Sequence, residues 1–186
     1  MTEPSDLTQA YLKECLDYDP ATGVFRWKVR PVHHFHDDTR LTAADVCKGR
    51  NSRFAGLIAG AVNNHGYHQV QIGDRKYRAH RLAWFYTYGE WPRCDVDHID
   101  GNRLNNRTAN LRLASRSENV ANSKLGSGNT SGVKGVKQRQ DTGRWEARIG
   151  FKYKLRYLGL FDTIEEAQAA YMKAAEEFFG EFARAS

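Results

Sequence analysis

The chain has 186 residues, 40% of them apolar and 12% aromatic, which suits one ordinary domain or two small ones and is too apolar for a disordered tail. No apolar run approaches the roughly 18 to 20 residues of a membrane-spanning helix, and no basic stretch precedes an apolar core at the amino end, so membrane insertion and secretion are not expected. Cys15, Cys47 and Cys94 lie far apart, which favours neither disulfides nor a structural zinc site and fits a reducing cytoplasm.

Positive charge is concentrated in one part of the chain. The whole sequence has 28 Lys and Arg against 22 Asp and Glu, a net charge of +6. Residues 130–160 contain eight basic and two acidic side chains, so this segment carries the entire excess. A local excess of this kind predicts that the segment binds a polyanion.

The amino-terminal part predicts a short amphipathic helix at residues 7–16, a turn at residues 19–23 and a half-buried strand at residues 24–29. Residues 31–53 are hydrophilic and aperiodic, and we expect a surface insertion there. The insertion contains three histidines and two neighbouring aspartates that could form a metal site: His33, His34, His36, Asp37 and Asp38. Side chains so close together in a loop are more often simply solvated, and we favour that interpretation.

Next come two predicted strands, at residues 67–72 and 75–79, followed by a helical run that ends near Gly89. Arg81 lies at the junction of strand and helix, where it could hold a phosphate or form a surface ion pair. We retain it as a candidate DNA contact.

The segment at residues 96–123 combines an Asp-His pair on a short strand, a turn, a polar loop rich in asparagine, a second short strand and a helix. Ser115 and Glu118 form a capping box that marks the start of the helix. Such elements can bring Asp97 and His98 close to Asn119, which supplies the carboxylate and amide oxygens that Mg²⁺ prefers. A histidine beside such a site is a candidate general base.

The stretches DHIDGN, NNRTANLR and SENVANS resemble the HNH endonucleases, in particular the phage and intron-encoded homing type, whose catalytic core is a ββα-metal motif. The resemblance covers roughly residues 54–124. It implies that His98 is the general base that activates water, that the Asn110 amide braces the loop and helps to orient His98, and that Asp97 and Asn119 hold a divalent metal. Mg²⁺ is the expected ion and Mn²⁺ the alternative. The other asparagines of the loop, Asn102, Asn105 and Asn106, are interpreted as loop residues.

The carboxyl-terminal part predicts strands at residues 133–139, 144–151 and 154–161, then a helix that begins with a Thr163–Glu166 capping box and stops at Gly180. Residues 131–183 resemble the AP2 DNA-binding domain, most clearly in LGLFDTIEEAQAAY, which implies a three-stranded sheet in the major groove with a helix behind it. The pattern of the third strand leaves room for a bulge. The alternative is a sheet whose basic face is merely solvated. The candidate DNA contacts are Lys137, Arg139, Arg144, Arg148, Lys154 and Arg156.

The sequence therefore predicts an α+β protein: a ββα-metal HNH nuclease core and a small three-stranded antiparallel sheet with one packed helix. The expected domains are residues 1–53 (helix, strand and polar insertion), 54–124 (nuclease core), 125–132 (flexible linker) and 133–186 (AP2-like domain). We expect a monomeric, metal-dependent homing endonuclease that acts on double-stranded DNA in a bacterial host cytoplasm, without a membrane partner. The alternative is a non-catalytic, sequence-specific DNA-binding regulator. An RNA-binding protein is disfavoured because the stacked-aromatic motifs of common RNA modules are missing.

Overall fold

The computed structural model describes residues 7–126 and 128–184, which form the mixed α+β fold that the sequence predicts. Contacts divide the chain into two compact units, Met1–Arg112 and Leu113–Ser186, and each is described by itself. The predicted four-part division at residues 53, 124 and 132 stays a prediction, and Ser127 of the predicted linker lies outside the described residues. Within the described ranges, no helix is both long and apolar enough to cross a membrane.

The first unit begins with a helix that continues directly into a hairpin. Helix α1 (Gln9–Cys15) is capped by the Thr8 side chain, which accepts a hydrogen bond from the Tyr11 backbone. It leads into strand β1 (Leu16–Asp19), which pairs antiparallel with β2 (Val24–Trp27). The most deeply buried side chains of this part of the core are Leu12, Leu16 and Phe25.

The surface insertion predicted at residues 31–53, for which the sequence indicated no regular secondary structure, contains a short turn and a helix, and most of its residues are exposed. A 3₁₀ turn forms at Val32–His34, and helix α2 runs over Ala43–Phe54 after a capping box between Thr42 and Asp45. The Asn51 side chain anchors the helix by donating to the Arg30 carbonyl oxygen at 2.8 Å. Within α2, Cys47 is the one buried residue, so the helix has no apolar stripe that periodicity could reveal.

A second sheet and a helix add to the core of the first unit. Strands β3 (Ala61–Val62), β4 (His68–Ile72) and β5 (Arg75–Arg78) form an antiparallel sheet in that order. Helix α3 (Ala79–Tyr88) follows at once and ends at Gly89 in the left-handed conformation, as the sequence predicts to within a residue. Its Leu82 is fully buried, and the Phe85 ring stacks on Trp91 with centroids 4.2 Å apart.

The tight turn between β1 and β2 packs against a loop much later in the chain. Gly23 has φ +75°, and a Cβ atom built there would lie 2.5 Å from both the Asn106 carbonyl carbon and the Arg107 nitrogen. The Tyr18 hydroxyl donates to the Asn106 carbonyl oxygen at 2.7 Å. The amino-terminal hairpin is therefore part of the same packed unit as that loop.

The second unit is a three-stranded antiparallel sheet with a helix packed on one face. Strands β8 (Val136–Gln138), β9 (Trp145–Phe151) and β10 (Lys154–Phe161) lie in the order β10-β9-β8. Helix α5 (Ile164–Phe179) begins with the predicted capping box. Short helix α4 (Arg116–Asn122) contributes Ala121 to the same core. The sheet and α5 bury Val136, Ala147, Ile149, Ala167, Tyr171, Ala174, Ala175 and Phe179.

The Gly23 contact predicts a large difference between two glycine substitutions. Gly23 and Gly66 both have φ +75°, but an added Cβ at Gly66 meets nothing within 4 Å. We expect Gly66→Ala to lower the free energy of unfolding by about 1 to 2 kcal/mol, the cost of the left-handed backbone. Gly23→Ala should cost at least about 1 kcal/mol more, because the methyl group must displace the Asn106 backbone. Urea denaturation of both variants measures this, and equal losses would contradict the proposed contact.

Candidate active site

A short strand of the first unit carries two buried polar side chains at its end. Strand β6 (Asp95–His98) forms a two-stranded sheet with β7 (Leu111–Ala114), and the Ile99 backbone N–H donates to the Asn110 carbonyl oxygen at 2.9 Å. Asp97 and His98 are only 6% and 5% exposed. Because burial of polar groups is costly unless they are hydrogen-bonded, their partners determine what this site can do.

The imidazole of His98 is oriented by Asn106, which is 2% exposed. The Nε2 atom of His98 lies 3.2 Å from Oδ1 of Asn106. The Asn106 Nδ2 atom donates to the Leu104 carbonyl oxygen at 3.3 Å, which turns Oδ1 toward the imidazole. Since an amide oxygen can only accept, Nε2 carries the proton, and the basic lone pair of the neutral ring is on Nδ1. Such a ring can take a proton through Nδ1.

Asn110 braces the loop that contains Asn106. Its Nδ2 atom donates to Oδ1 of Asp100 at 3.0 Å and to the Asn105 carbonyl oxygen at 2.8 Å, and its Oδ1 accepts from the Asp100 backbone N–H at 3.1 Å. Bracing is the task that the resemblance implies for Asn110, whereas the amide contact to His98 comes from Asn106. The sequence interpretation treated Asn106 as an ordinary loop residue, because spacing alone does not separate it from its neighbouring asparagines.

Both histidines at the centre of the site are shifted toward the neutral form. His80, 4% exposed, packs its ring against His98 with centroids 4.9 Å apart, and its Nδ1 has no hydrogen-bond partner among the described residues. Burial, and then the neighbouring His98, lowers the pKa of His80 well below its ordinary value. Burial also lowers the pKa of His98, although the Asn106 hydrogen bond and the charges of Asp100 and Asp97 partly oppose this. Neutral His98 is the form that a general base needs.

Asp97 forms an ion pair with an arginine of the same unit. The Arg112 Nε atom lies 3.1 Å from Oδ2 of Asp97, and both side chains are almost fully buried. A carboxylate offers about four acceptor positions, and the ion pair with Arg112 occupies one of them and orients the group. Asn119 lies on α4 after the Ser115 cap, in the second unit, and its predicted role as the other metal ligand stays a prediction.

Arg81 connects α3 to the segment that leads into β6. Its guanidinium donates to the Pro92 carbonyl oxygen at 3.0 Å and to the Cys94 carbonyl oxygen at 3.1 Å. These bonds fix the position of the backbone at residues 92–94, just before the strand that carries Asp97. The phosphate contact predicted for Arg81 stays a prediction.

In the second unit, the strand register separates the candidate DNA contacts onto two faces. Residues that face each other across an antiparallel pair lie on the same side of the sheet. The pairs Lys137–Glu146 and Tyr157–Arg148 therefore share the face opposite α5. We call these four residues, together with Leu155, the open face.

Arg156 lies on the other side of the sheet. It pairs with the buried Ile149, and its guanidinium sits over the rings of Phe151 and Phe178 at 5.5 and 5.0 Å. The register shifts between Tyr157 and Gly159, at the position where the sequence pattern left room for a bulge.

Acidic groups already pair with several of the basic candidates. Glu146, in the middle of the open face, pairs with Arg148 and lies 3.8 Å from Arg139. Arg144 pairs with Asp162 at 2.7 Å. Lys154 is exposed at the start of β10.

The hairpin between β9 and β10 ends in an exposed aromatic tip. Lys152 and Tyr153 have φ of 48° and 63°, an uncommon backbone for residues other than glycine. The Tyr153 side chain is 97% exposed, and Leu155 and Tyr157 on the open face are largely exposed as well. The tip and the open face thus offer both cations and apolar side chains.

The ββα nuclease motif consists of a strand, a loop, a second strand and a helix. This chain has these elements in the same order, with a buried Asp-His pair on the first strand, asparagines that brace the loop and a capped helix. The family model described as HNH endonuclease matches residues 77–121. Protein 3.8 of Escherichia phage T7 is 35% identical over 108 residues, 58% of this chain and 88% of that protein. The chain belongs to the HNH endonuclease family.

Two further relatives share different parts of the chain. An uncharacterized HNH endonuclease of Acanthamoeba polyphaga mimivirus is 38% identical over 91 residues, 47% of this chain and 44% of that protein. An AP2-like ethylene-responsive transcription factor of Arabidopsis thaliana is 30% identical over 169 residues, 83% of this chain and 42% of that protein. The chain thus spans less than half the length of these two relatives, and it contains an AP2-like domain.

The buried His80 predicts acid sensitivity of the fold. Because its folded-state pKa is depressed, the unfolded chain takes up a proton first, so stability is fully present above a pH of about 6.5 and falls as the pH decreases below it. His80 alone can contribute a slope of up to about 1.4 kcal/mol per pH unit. We expect His80→Leu to flatten the dependence of unfolding free energy on pH between 6.5 and 5 (about the range in which an unfolded histidine titrates).

The matched control is His36→Leu, which replaces an exposed histidine of the same unit. Chemical denaturation at a series of pH values measures all three proteins. Equal slopes in wild type and His80→Leu would show that His80 binds its proton equally well in the folded and the unfolded chain, which would contradict the depressed pKa.

Proposed function

We propose that the protein is a metal-dependent DNA endonuclease of the homing type, in which the first unit supplies the general base and the AP2-like unit binds double-stranded DNA. The observation that carries this proposal is the buried hydrogen bond between His98 and Asn106. It selects the tautomer with a basic Nδ1 atom in a side chain that burial keeps neutral. A purely structural histidine would not need this arrangement next to a buried carboxylate.

In the proposed reaction, Nδ1 of His98 accepts a proton from a water molecule. The water oxygen forms a bond to phosphorus, the bond between phosphorus and the 3′ oxygen breaks, and the 3′ oxygen takes up a proton from solvent, which leaves a 5′ phosphate and a 3′ hydroxyl. Asn106 stabilises the protonated imidazole by accepting from Nε2 throughout, and Asn110 keeps the loop in place.

The donor set fits a hard divalent cation. Asp97 provides a fixed carboxylate, and Asn119 is proposed to provide an amide oxygen. Mg²⁺ held there, or Mn²⁺ in its place, would supply positive charge for the developing phosphate and leaving-group oxygens.

DNA binding is proposed for the open face of the AP2-like unit. Lys137 and Arg148 supply positive charge, and the exposed rings of Tyr153 and Tyr157 can pack against sugar or base edges. The phage T7 relative supports a place in the cytoplasm of a bacterial host. A monomer is part of the same proposal.

Replacement of the proposed base should abolish cleavage and spare binding. We expect His98→Ala to lower the rate of supercoiled plasmid nicking in Mg²⁺ by roughly 100-fold or more, because the proton acceptor is lost. DNA affinity should stay within about twofold of wild type, since the buried ring contributes no phosphate contact. His65→Ala, an exposed histidine of the same unit, is the control and should nick at the wild-type rate. Wild-type nicking should stop in EDTA.

Two outcomes would contradict this mechanism. Equal nicking by His98→Ala would exclude His98 as the base, and wild-type nicking that continues in EDTA would exclude the metal. A wild-type protein that binds DNA tightly without nicking it would favour the non-catalytic DNA-binding regulator.

Basic residues on the two sides of the sheet should differ in their contribution to the salt dependence of DNA binding. Each lost phosphate contact should reduce the slope of log affinity against log salt by about 0.9. We expect the double substitution Lys137→Ala and Arg148→Ala to reduce this slope accordingly. Arg156→Ala should leave it unchanged, because that side chain lies over Phe178 on the α5 side. Binding to a random duplex at several salt concentrations measures the slopes. A reduced slope in Arg156→Ala alone would place the DNA on the opposite face.

A further inference from the structure

Three side chains of the first unit, far along the chain from the HNH motif, bring their ligand atoms to one point. Glu14 lies near the end of α1, and His33 and His34 lie in the 3₁₀ turn. Oε2 of Glu14 is 2.7 Å from Nε2 of His34 and 3.4 Å from Nε2 of His33, and all three atoms lie within 4.8 Å of one another. The two imidazole rings are nearly perpendicular, at 84°, and both Nε2 atoms lie near the same carboxylate oxygen.

His34 is held rigidly in this position. Its side chain is fully buried, its ring packs on Tyr11 with centroids 4.4 Å apart, and its Nδ1 atom lies 3.6 Å from Sγ of Cys15. When Nε2 gives its lone pair to a cation, the ring proton must be on Nδ1, where the Cys15 sulfur can accept it weakly. A polar partner behind a ligating histidine is the usual device for fixing its tautomer. Glu14 and His33 are exposed, so a cation could reach the site from solvent.

We propose that Glu14, His33 and His34 form a second divalent-cation site, selective for zinc-class ions, which fastens the 3₁₀ turn to α1. Two imidazoles and one carboxylate are a ligand set for Zn²⁺, whereas Mg²⁺ prefers oxygen ligands alone. Ligand atoms around a tetrahedral Zn²⁺ lie about 3.4 Å apart, which the Glu14–His33 distance already matches. The Glu14–His34 pair is closer because it is a hydrogen bond, and this distance must lengthen by about 0.7 Å when both atoms bind the ion.

The test measures Zn²⁺ binding to the full chain by isothermal titration in excess Mg²⁺, so that an oxygen-ligand site in the nuclease motif is already occupied. We expect one Zn²⁺ per chain and a rise in melting temperature on its addition, because a ligand that binds only the folded state stabilises it. His33→Ala and Glu14→Gln should each weaken Zn²⁺ binding by at least about tenfold and remove the thermal shift. Both replace exposed side chains, so folding should be preserved, as circular dichroism can verify.

The matched control is His36→Ala, which removes an exposed histidine of the same segment and should bind Zn²⁺ as wild type does. Nitrogen NMR of the imidazoles provides a second readout, since Zn²⁺ should move the Nε2 resonances of His33 and His34. Failure of wild type to bind Zn²⁺ under these conditions would overturn the proposal. So would wild-type affinity in both His33→Ala and Glu14→Gln, which would assign the ion to the nuclease motif instead.

Discussion

The first unit depends on the contact between the β1–β2 turn and the backbone at Asn106. A side chain at Gly23 would overlap that backbone, and the Tyr18 hydroxyl holds the same carbonyl group. These contacts fix the backbone of Asn106. Its side-chain amide can therefore hold the His98 ring in one orientation. The chemistry of the site rests on a hairpin that contains none of the residues of the HNH motif.

A buried polar cluster of this kind is stable only when nearly every group is matched. Asp97 has Arg112, and Asn110 connects Asp100 to the far side of the loop. Burial alone would raise the pKa of Asp100, but the hydrogen bonds from Asn105, the Asn102 backbone and Asn110 outweigh it and lower the pKa. The loop therefore keeps one carboxylate ionised at its surface, while burial keeps the two packed imidazoles, His80 and His98, neutral. Helix α3, strand β6 and the loop thus hold acidic and basic groups in defined protonation states at neutral pH.

The sequence predicted those features that depend on local chemistry. Capping boxes marked α4 and α5 correctly, and period-2 alternation placed Ala147 and Ile149 in the core. Helix α2 was missed although Thr42 and Asp45 carry the same capping signal, because no apolar stripe followed it. Features that depend on contacts between residues far apart in the chain could not be predicted from the sequence. Asn106 differs from its neighbouring asparagines only by what packs on it. Arg156 could not be assigned to a face while the position of the bulge was unknown.

The distance along the chain between Tyr18 and Asn106, 88 residues, also has consequences for how this unit folds. Hairpin β1–β2 and the β4–β5 pair close over a few residues, whereas the loop around Asn106 acquires its shape only when the ends of an 88-residue segment meet. The contact that positions Asn106 beside His98 therefore closes a much longer loop than either hairpin does. The family model matches residues 77–121, which include His98 and Asn106. These residues do not include the β1–β2 turn, against which the loop packs. In this chain the family motif and the packed unit that positions His98 and Asn106 are therefore different segments of the polypeptide.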